Sequence, residues 1–199
     1  VTFTDKVHEY ERMKIRILNG GHAIIAYSGA LLGCELADEA MAHPLVHAFF
    51  RKVEETEVLP HVHAVPEFTP AAYLELIDER FSNPAVKDTI RRLCLDGSNR
   101  QPKFIVPSIL DGLKAGTSVE GLALESALWC RYCAGQFEDG STIEPNDPNW
   151  SRLTELSDAA KSRPGAWLEQ RTVYGDLARN ETFAALFAEF PVFDSYTPH

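Results

Sequence analysis

No apolar run in this chain is long enough to cross a bilayer. A spanning helix needs about 18 or more apolar residues. The longest candidate, residues 23–32, is shorter and contains Tyr, Ser and Gly. Basic residues are outnumbered as well: 19 Lys and Arg stand against 29 Asp and Glu, a formal net charge of -10. That balance argues against nucleic acid as a partner, because phosphates recruit clustered Lys and Arg. It argues equally against attraction to an anionic membrane surface, and leaves open a locally basic pocket for a small anion.

The four cysteines, Cys34, Cys94, Cys130 and Cys133, show no framework spacing, and a chain of this length needs no disulfide staples. Cys130 and Cys133 form a C-x-x-C. No second Cys or His pair follows at zinc-ligand spacing, and no strand precedes it as a redox motif would require. Both are expected as small core residues of a helix, in a reducing and therefore cytoplasmic compartment, with no metal bound. A G-x-G-x-x-G opening a helix after a strand is missing too. The run Gly29-Ala30-Leu31-Leu32-Gly33 is no substitute, because it ends a helix. The chain opens Val1-Thr2-Phe3-Thr4 with neither an initiator methionine nor a signal-peptide pattern. It is expected to be part of a longer protein, with residues 1–199 forming one helical unit.

What the chain has is helical periodicity and apolar bulk: 45% hydrophobic residues, eleven of them Phe. Val7, Tyr10, Met13, Ile17, Ile24, Ile25 and Leu31 predict one long helix with Thr4 or Asp5 as its N-cap and Gly33 as its stop. Pro44 can open the next helix. Thr69-Pro70 is an N-cap followed by Pro at the first helical position, and Asn83-Pro84 repeats the device. A helix is expected over about 103–113, bent or restarted by Pro107, and another over 119–134. Residues 136–149 read as a loop, and helices follow at 153–160 and at 181–190, the last capped by Asn180 and ended by Pro191. Glu54, Glu55 and Glu57 read as a solvated helix face, and the three Trp as core or contact anchors. Beyond a possible short strand at 1–3, no period-two alternation appears. The fold class is mostly α.

Within the first helix lies Met13-Lys14-Ile15-Arg16-Ile17-Leu18-Asn19-Gly20-Gly21-His22-Ala23. Its apolar surroundings predict burial, yet it holds a lysine and two adjacent glycines, each glycine costing about 1 kcal/mol against Ala. Local rules broken together mark a functional or strained site. On an α-helix, with Lys14 at zero, His22 falls near ~80° and Asn19 near ~140°. The three can face one cleft but cannot converge unless the helix deforms. Gly20-Gly21 permits deformation or the close approach of a ligand or backbone.

These residue types suit alcohol oxidation by a nicotinamide. The hydroxyl proton must leave as hydride departs from carbon. A lysine whose pKa is lowered by burial can accept it near neutral pH. An asparagine amide and an imidazole N–H can stabilise the developing alkoxide. The plain structural alternative is a snorkelling lysine and a satisfied polar histidine.

The segment resembles the K-x4-N-x2-H signature of the polyol-specific long-chain dehydrogenases, the mannitol dehydrogenase family, with Lys14, Asn19 and His22 at the three fixed positions. The likeness extends through Arg92-Leu93-Cys94-Leu95-Asp96-Gly97-Ser98-Asn99-Arg100-Gln101-Pro102-Lys103 and through Gly121-Leu122-Ala123-Leu124 to Trp129-Cys130-Arg131-Tyr132. The resemblance implies the helical C-terminal domain of a two-domain enzyme, with a fold similar to the 6-phosphogluconate dehydrogenase C-terminal-like fold. An N-terminal Rossmann domain that binds NAD or NADP is absent from this chain. It implies Lys14 as general acid/base, Asn19 and His22 holding and polarising the reacting oxygen, and Arg92 and Arg100 as substrate contacts. Lys103 is a weaker candidate. Arginines 91, 92 and 100 could equally cap a helix C-terminus. The substrate implied is a sugar alcohol or its ketose, and the isolated domain is expected to be inactive. Two alternatives stand beside this: a hexuronate reductase of the same family, needing an arginine clamp for a carboxylate, and a non-enzymatic helical interaction module with a freely solvated Lys14.

Overall fold

The computed structural model describes residues 7–190; the expected strand at 1–3, the N-cap at Thr4 or Asp5 and the stop at Pro191 lie outside them. Among the described residues the chain is helical, with isolated bridges at Leu36–Thr89, Val65–Phe68 and Gln136–Thr142 and no longer strand. The mostly-α expectation holds.

The long first helix is real but interrupted. Val7–Met13 (α1) runs into a π-helical turn, Lys14–Asn19, and then into Gly20–Leu31 (α2). Residues Gly20, Gly21 and Ala23 to Ala30 of α2 are buried, as expected of a helix apolar nearly all round. α2 is the centre of the fold. It packs on Ala37–Ala42 (α3), Pro44–Val53 (α4), Ile90–Leu93 (α6) and Glu120–Tyr132 (α9). Three of the expected helix starts are in place. Pro44 sits at the start of α4. The Thr69 hydroxyl accepts from the Ala72 N–H at 3.1 Å to open Pro70–Phe81 (α5). Asn180 caps Glu181–Ala188, accepting from the Phe183 N–H at 2.9 Å. Cys130 and Cys133 are free and buried. Trp129 and Trp167 are fully buried and meet edge to face at 4.7 Å.

Several expectations are corrected. No helix follows Asn83-Pro84 directly. The Asn83 side chain accepts from the Ala85 N–H at 2.9 Å, closing a tight local turn, and Lys87 takes a left-handed φ of 52° that no helix can continue. α6 begins only after Thr89 caps it. The helix expected over about 103–113 restarts at Pro107 as expected, so that Gly97–Phe104 (α7) and Val106–Ala115 (α8) meet at Ile105; what is corrected is its start, which lies at Gly97. Pro107 has no N–H to return to the carbonyl four residues earlier, so the chain restarts. Glu54 and Glu57 are buried rather than solvated. They fall in a second π-helical stretch, Glu54–Val58, and Glu57 accepts from the N–H groups of Gly121 and Leu122 at 2.8 and 2.9 Å. Two of the orphan donors at the start of α9 are thereby satisfied.

Candidate active site

The π-helical turn coincides with the segment from Lys14 to Asn19. The Gly20 N–H donates to the Ile15 carbonyl, five residues back. The wider ring is tolerated because the residues after it are small. A Cβ on Gly20 would stand 3.3 Å from the Phe104 carbonyl oxygen, and one on Gly21 would stand 2.9 Å from Phe50 and 3.2 Å from Phe81. The close approach expected at Gly20-Gly21 is therefore present, made by neighbouring backbone and rings. Arg16 fastens the turn from behind, donating to the Ser108 hydroxyl at 2.7 Å and to Asp111 at 2.8 Å. In i→i+5 geometry, residue i+5 comes to lie over residue i. Asn19 is five residues from Lys14, and His22 is three from Asn19 on regular helix. The deformation thus draws together three groups that ideal α geometry spreads over ~140°.

A cavity of about 410 Å³ is lined by all three, and by Arg92 and Arg100. It takes in every site residue expected from the sequence except the weaker candidate Lys103. Arg80, Tyr27, Gln101 and Phe104 also line it, and no carboxylate does. A protein of net charge -10 thus has a basic hollow on its signature helix. Lys14 is exposed, so the expectation of a lysine withdrawn from water is not met within this chain. Its side of the cavity is open. The exposure agrees with one forecast of the interaction-module alternative, and the hollow shared with Asn19 and His22 runs against it.

His22 is held firmly. Its ring stacks on Phe81 with centroids 4.3 Å apart and planes 18° from parallel, and its Nε2 lies 3.8 Å from Asp88 Oδ2. Burial lowers its pKa to about 4; Asp88 opposes the fall, and Arg92, Arg80 and Arg100 add to it. The ring is neutral at physiological pH, with a single N–H. Arg92 donates through Nε to Asp88 Oδ1 at 2.5 Å and through Nη2 to Oδ2, which holds the Asp88 carboxyl below its usual range. Arg100 Nη1 donates to the carbonyls of Arg92 and Leu93 at 3.2 Å each. Arg100 therefore caps the end of α6, as the structural alternative had it, while also lining the cavity.

Arg80 was missed. In sequence it is only the penultimate residue of an amphipathic helix, and nothing marks α5 as a neighbour of α2. Gln101 was quoted in the resemblance without a role. It is buried, and its Nε2 donates to the buried Glu125 Oε1. Among the described residues Glu125 Oε2 and Gln101 Oε1 have no hydrogen-bond partner, nor has either oxygen of Glu54 beneath Gly21. Burial pushes the Glu125 carboxyl up to about 8 and that of Glu54 well above its ordinary value. Among the described residues, no group of three or more His, Cys, Asp or Glu is placed to hold a metal ion.

Residues 6–190 match the family model described as mannitol dehydrogenase C-terminal domain. A mannitol 2-dehydrogenase of Cereibacter sphaeroides is 61% identical over 94% of this chain, and one of Aspergillus terreus is 33% identical over 88%. The chain spans 39% and 35% of the lengths of those proteins. The solved ternary complex of Pseudomonas fluorescens mannitol 2-dehydrogenase with NAD and D-mannitol superposes with a TM-score of 0.87 at 34% identity, over 94% of this chain and 38% of that one. A D-sorbitol dehydrogenase structure, 22% identical, shares the fold with a TM-score of 0.73 over 92% of this chain and 41% of that one. The chain belongs to the family of mannitol dehydrogenase C-terminal domains.

Proposed function

We propose that this chain is the substrate-binding and catalytic domain of an NAD(P)-dependent polyol dehydrogenase of the mannitol 2-dehydrogenase type, interconverting a sugar alcohol and a ketose. The observation that carries this is the single hollow shared by Lys14, Asn19, His22, Arg92 and Arg100. The nicotinamide supplies the hydride acceptor. Among the described residues no strand leads into a glycine-rich helix start, so the dinucleotide is held mainly by an N-terminal Rossmann domain of the same protein. This chain walls the substrate. Closure of that domain over the open side would withdraw Lys14 from bulk water. Four free cysteines fit a reducing, cytoplasmic setting.

Lys14 Nζ accepts the hydroxyl proton as hydride leaves carbon, and returns it in the reverse direction. The Asn19 amide donates to the oxygen as negative charge grows on it. Neutral His22 holds a hydroxyl without adding a competing positive charge. The guanidinium groups bind the remaining hydroxyls and fix the reacting carbon in place.

A hexuronate reductase is the second reading, favoured by three guanidinium groups around one cavity. Arg92 and Arg100 are already engaged by Asp88 and by backbone carbonyls. Only the Arg80 guanidinium makes no hydrogen bond or ion pair among the described residues, the backbone carbonyl of that residue accepting from the Asn83 N–H, and one free guanidinium is a weak clamp for a carboxylate. Comparing kcat/KM for mannitol and mannonate decides between the two. The test of the function itself is Lys14→Ala in the full-length enzyme. Turnover should fall by about 10²- to 10⁴-fold with KM little changed, and an unchanged kcat removes the lysine from the mechanism.

A further inference from the structure

His22 and Arg92 stand on different helices, yet one carboxylate serves both. Asp88 lies in the turn before α6 with its side chain 16% exposed. Its Oδ2 is 3.8 Å from His22 Nε2 and accepts from Arg92 Nη2, while its Oδ1 accepts from Arg92 Nε. We propose that Asp88 is a positioning residue: it pins the Arg92 guanidinium and holds His22 as the Nε2–H tautomer. His22 then offers Nδ1 as an acceptor to a substrate hydroxyl beside the one being oxidised. This inference rests on the dehydrogenase reading above.

The chemistry leaves little freedom. Paired with Arg92, Asp88 stays ionised and can only accept. The ring must therefore be the donor, and a neutral imidazole has one N–H to give. Phe81 covers one ring face at 4.3 Å and is itself packed against Phe50, so the ring cannot turn its nitrogens away freely. A gap of 3.8 Å is too long for a direct hydrogen bond. His22 and Asp88 share a hollow of about 10 Å³ with Arg80 and Asn83, close to the smallest that admits one water. A bridging water or a small tilt of the ring completes the link. The charged groups facing His22 are Asp88, Asp38 across the same hollow, and Arg80, Arg92 and Arg100. Glu54 lies behind Gly21, and Lys14 shares the helix and the cavity. With Nε2–H turned toward Asp88, the donor to the reacting oxygen from this chain is Asn19. An acceptor nitrogen next to it recognises a neighbouring hydroxyl, the feature that separates a polyol from a simple secondary alcohol.

The test uses the full-length enzyme with two substrates, the polyol and its analogue lacking the hydroxyl beside the reacting carbon. Asp88→Asn should lower kcat/KM for the polyol by about tenfold or more and for the deoxy analogue by much less. Asp88→Glu should recover part of the loss. Added to His22→Ala, Asp88→Asn should cost less than it does alone, because coupled residues are not additive. Equal losses on both substrates, or full additivity with His22→Ala, overturn the proposal. Imidazole ¹⁵N shifts of the unmodified enzyme, with the His22 signal assigned by its loss in His22→Ala, read the tautomer without relying on the folding of an Asp88 variant; an Nδ1–H ring overturns it. Lys14→Ala measured alongside keeps the two readings apart. Turnover that survives that change removes the dehydrogenase function. Turnover lost there, with Asp88→Asn acting equally on both substrates, removes the Asp88 inference alone.

Discussion

Glu125→Gln should make the protein more stable, and increasingly so as pH rises. Glu125 is buried on α9, with one oxygen bonded to Gln101 and the other without a partner among the described residues. Its folded pKa of about 8 stands against an ordinary 4.5. A carboxyl raised in the fold keeps its proton there while the unfolded chain has lost it. Folding is therefore most favoured below pH ~4.5, and that advantage drains away as pH climbs toward 8, at about 1.36 kcal/mol per pH unit. Between pH 5 and pH 8 the loss comes to roughly 3.5 kcal/mol. Glutamine has the same shape and no proton to lose, so the variant is spared this slope. At roughly 2–4 °C per kcal/mol for a domain of this size, the Tm of Glu125→Gln minus that of the parent should grow by about 10 °C across the interval. The assay is thermal unfolding of the full-length protein in matched buffers at pH 5, 6, 7 and 8. A Tm difference that stays level with pH would refute the reasoning, because it would mean the carboxyl is charged in the fold or water reaches it. A neutral acid beside an amide also matters to the site. Gln101 lines the cavity, and on the proposed dehydrogenase reading an ionised Glu125 behind it would set a negative charge against a growing alkoxide.

Two further substitutions probe the frame around the site. Gly21→Ala drives a methyl against Phe50, Phe81 and the Glu54 carboxyl at 2.9, 3.2 and 3.3 Å; it should cost about 1–3 kcal/mol by overpacking. It should also raise KM, because Phe81 is displaced from the His22 ring; unchanged Tm and KM would show that the rings yield freely. Glu57→Gln keeps one acceptor oxygen for the two N–H groups at the start of α9 and turns a donor on the other. Its Tm should fall by several degrees, for a loss of about 1–3 kcal/mol, and a Tm equal to the parent's would show that the cap is dispensable.

Much of the fold follows from local rules that a sequence displays. Helices opened by Pro44, Thr69 and Asn180 stand where their caps place them, because the signal and the structure occupy the same few residues. The failures share another cause. Lys87 adopts a left-handed conformation that nothing in its own side chain requires. Glu54 and Glu57 look solvated because acidic residues in a helix usually are, whereas here a second π-helical stretch turns them toward the core and Glu57 finds its partners 64 and 65 residues away. Arg80 belongs to the same class. Its role depends on α5 lying beside the signature helix, and helical period carries no record of neighbours.

The signature shows the limit most clearly, because its spacing looks wrong for an α-helix. Groups meant to meet on one helix face stand three or four residues apart, and Lys14 and Asn19 stand five apart. Read as α-helix, the motif scatters its own polar groups, which is why the sequence alone called for a deformation without locating it. The π-helical turn resolves the conflict. An i→i+5 ring makes a five-residue spacing the in-line one, and the three-residue step to His22 belongs to the α geometry that resumes at Gly20. The two glycines then follow from the same cause. The widened turn ends against the Phe104 carbonyl and the Phe50 and Phe81 rings, where no side chain fits. Lysine, asparagine, histidine and the glycine pair are thus one geometric device, in which the spacing fits the distortion and the distortion needs the glycines.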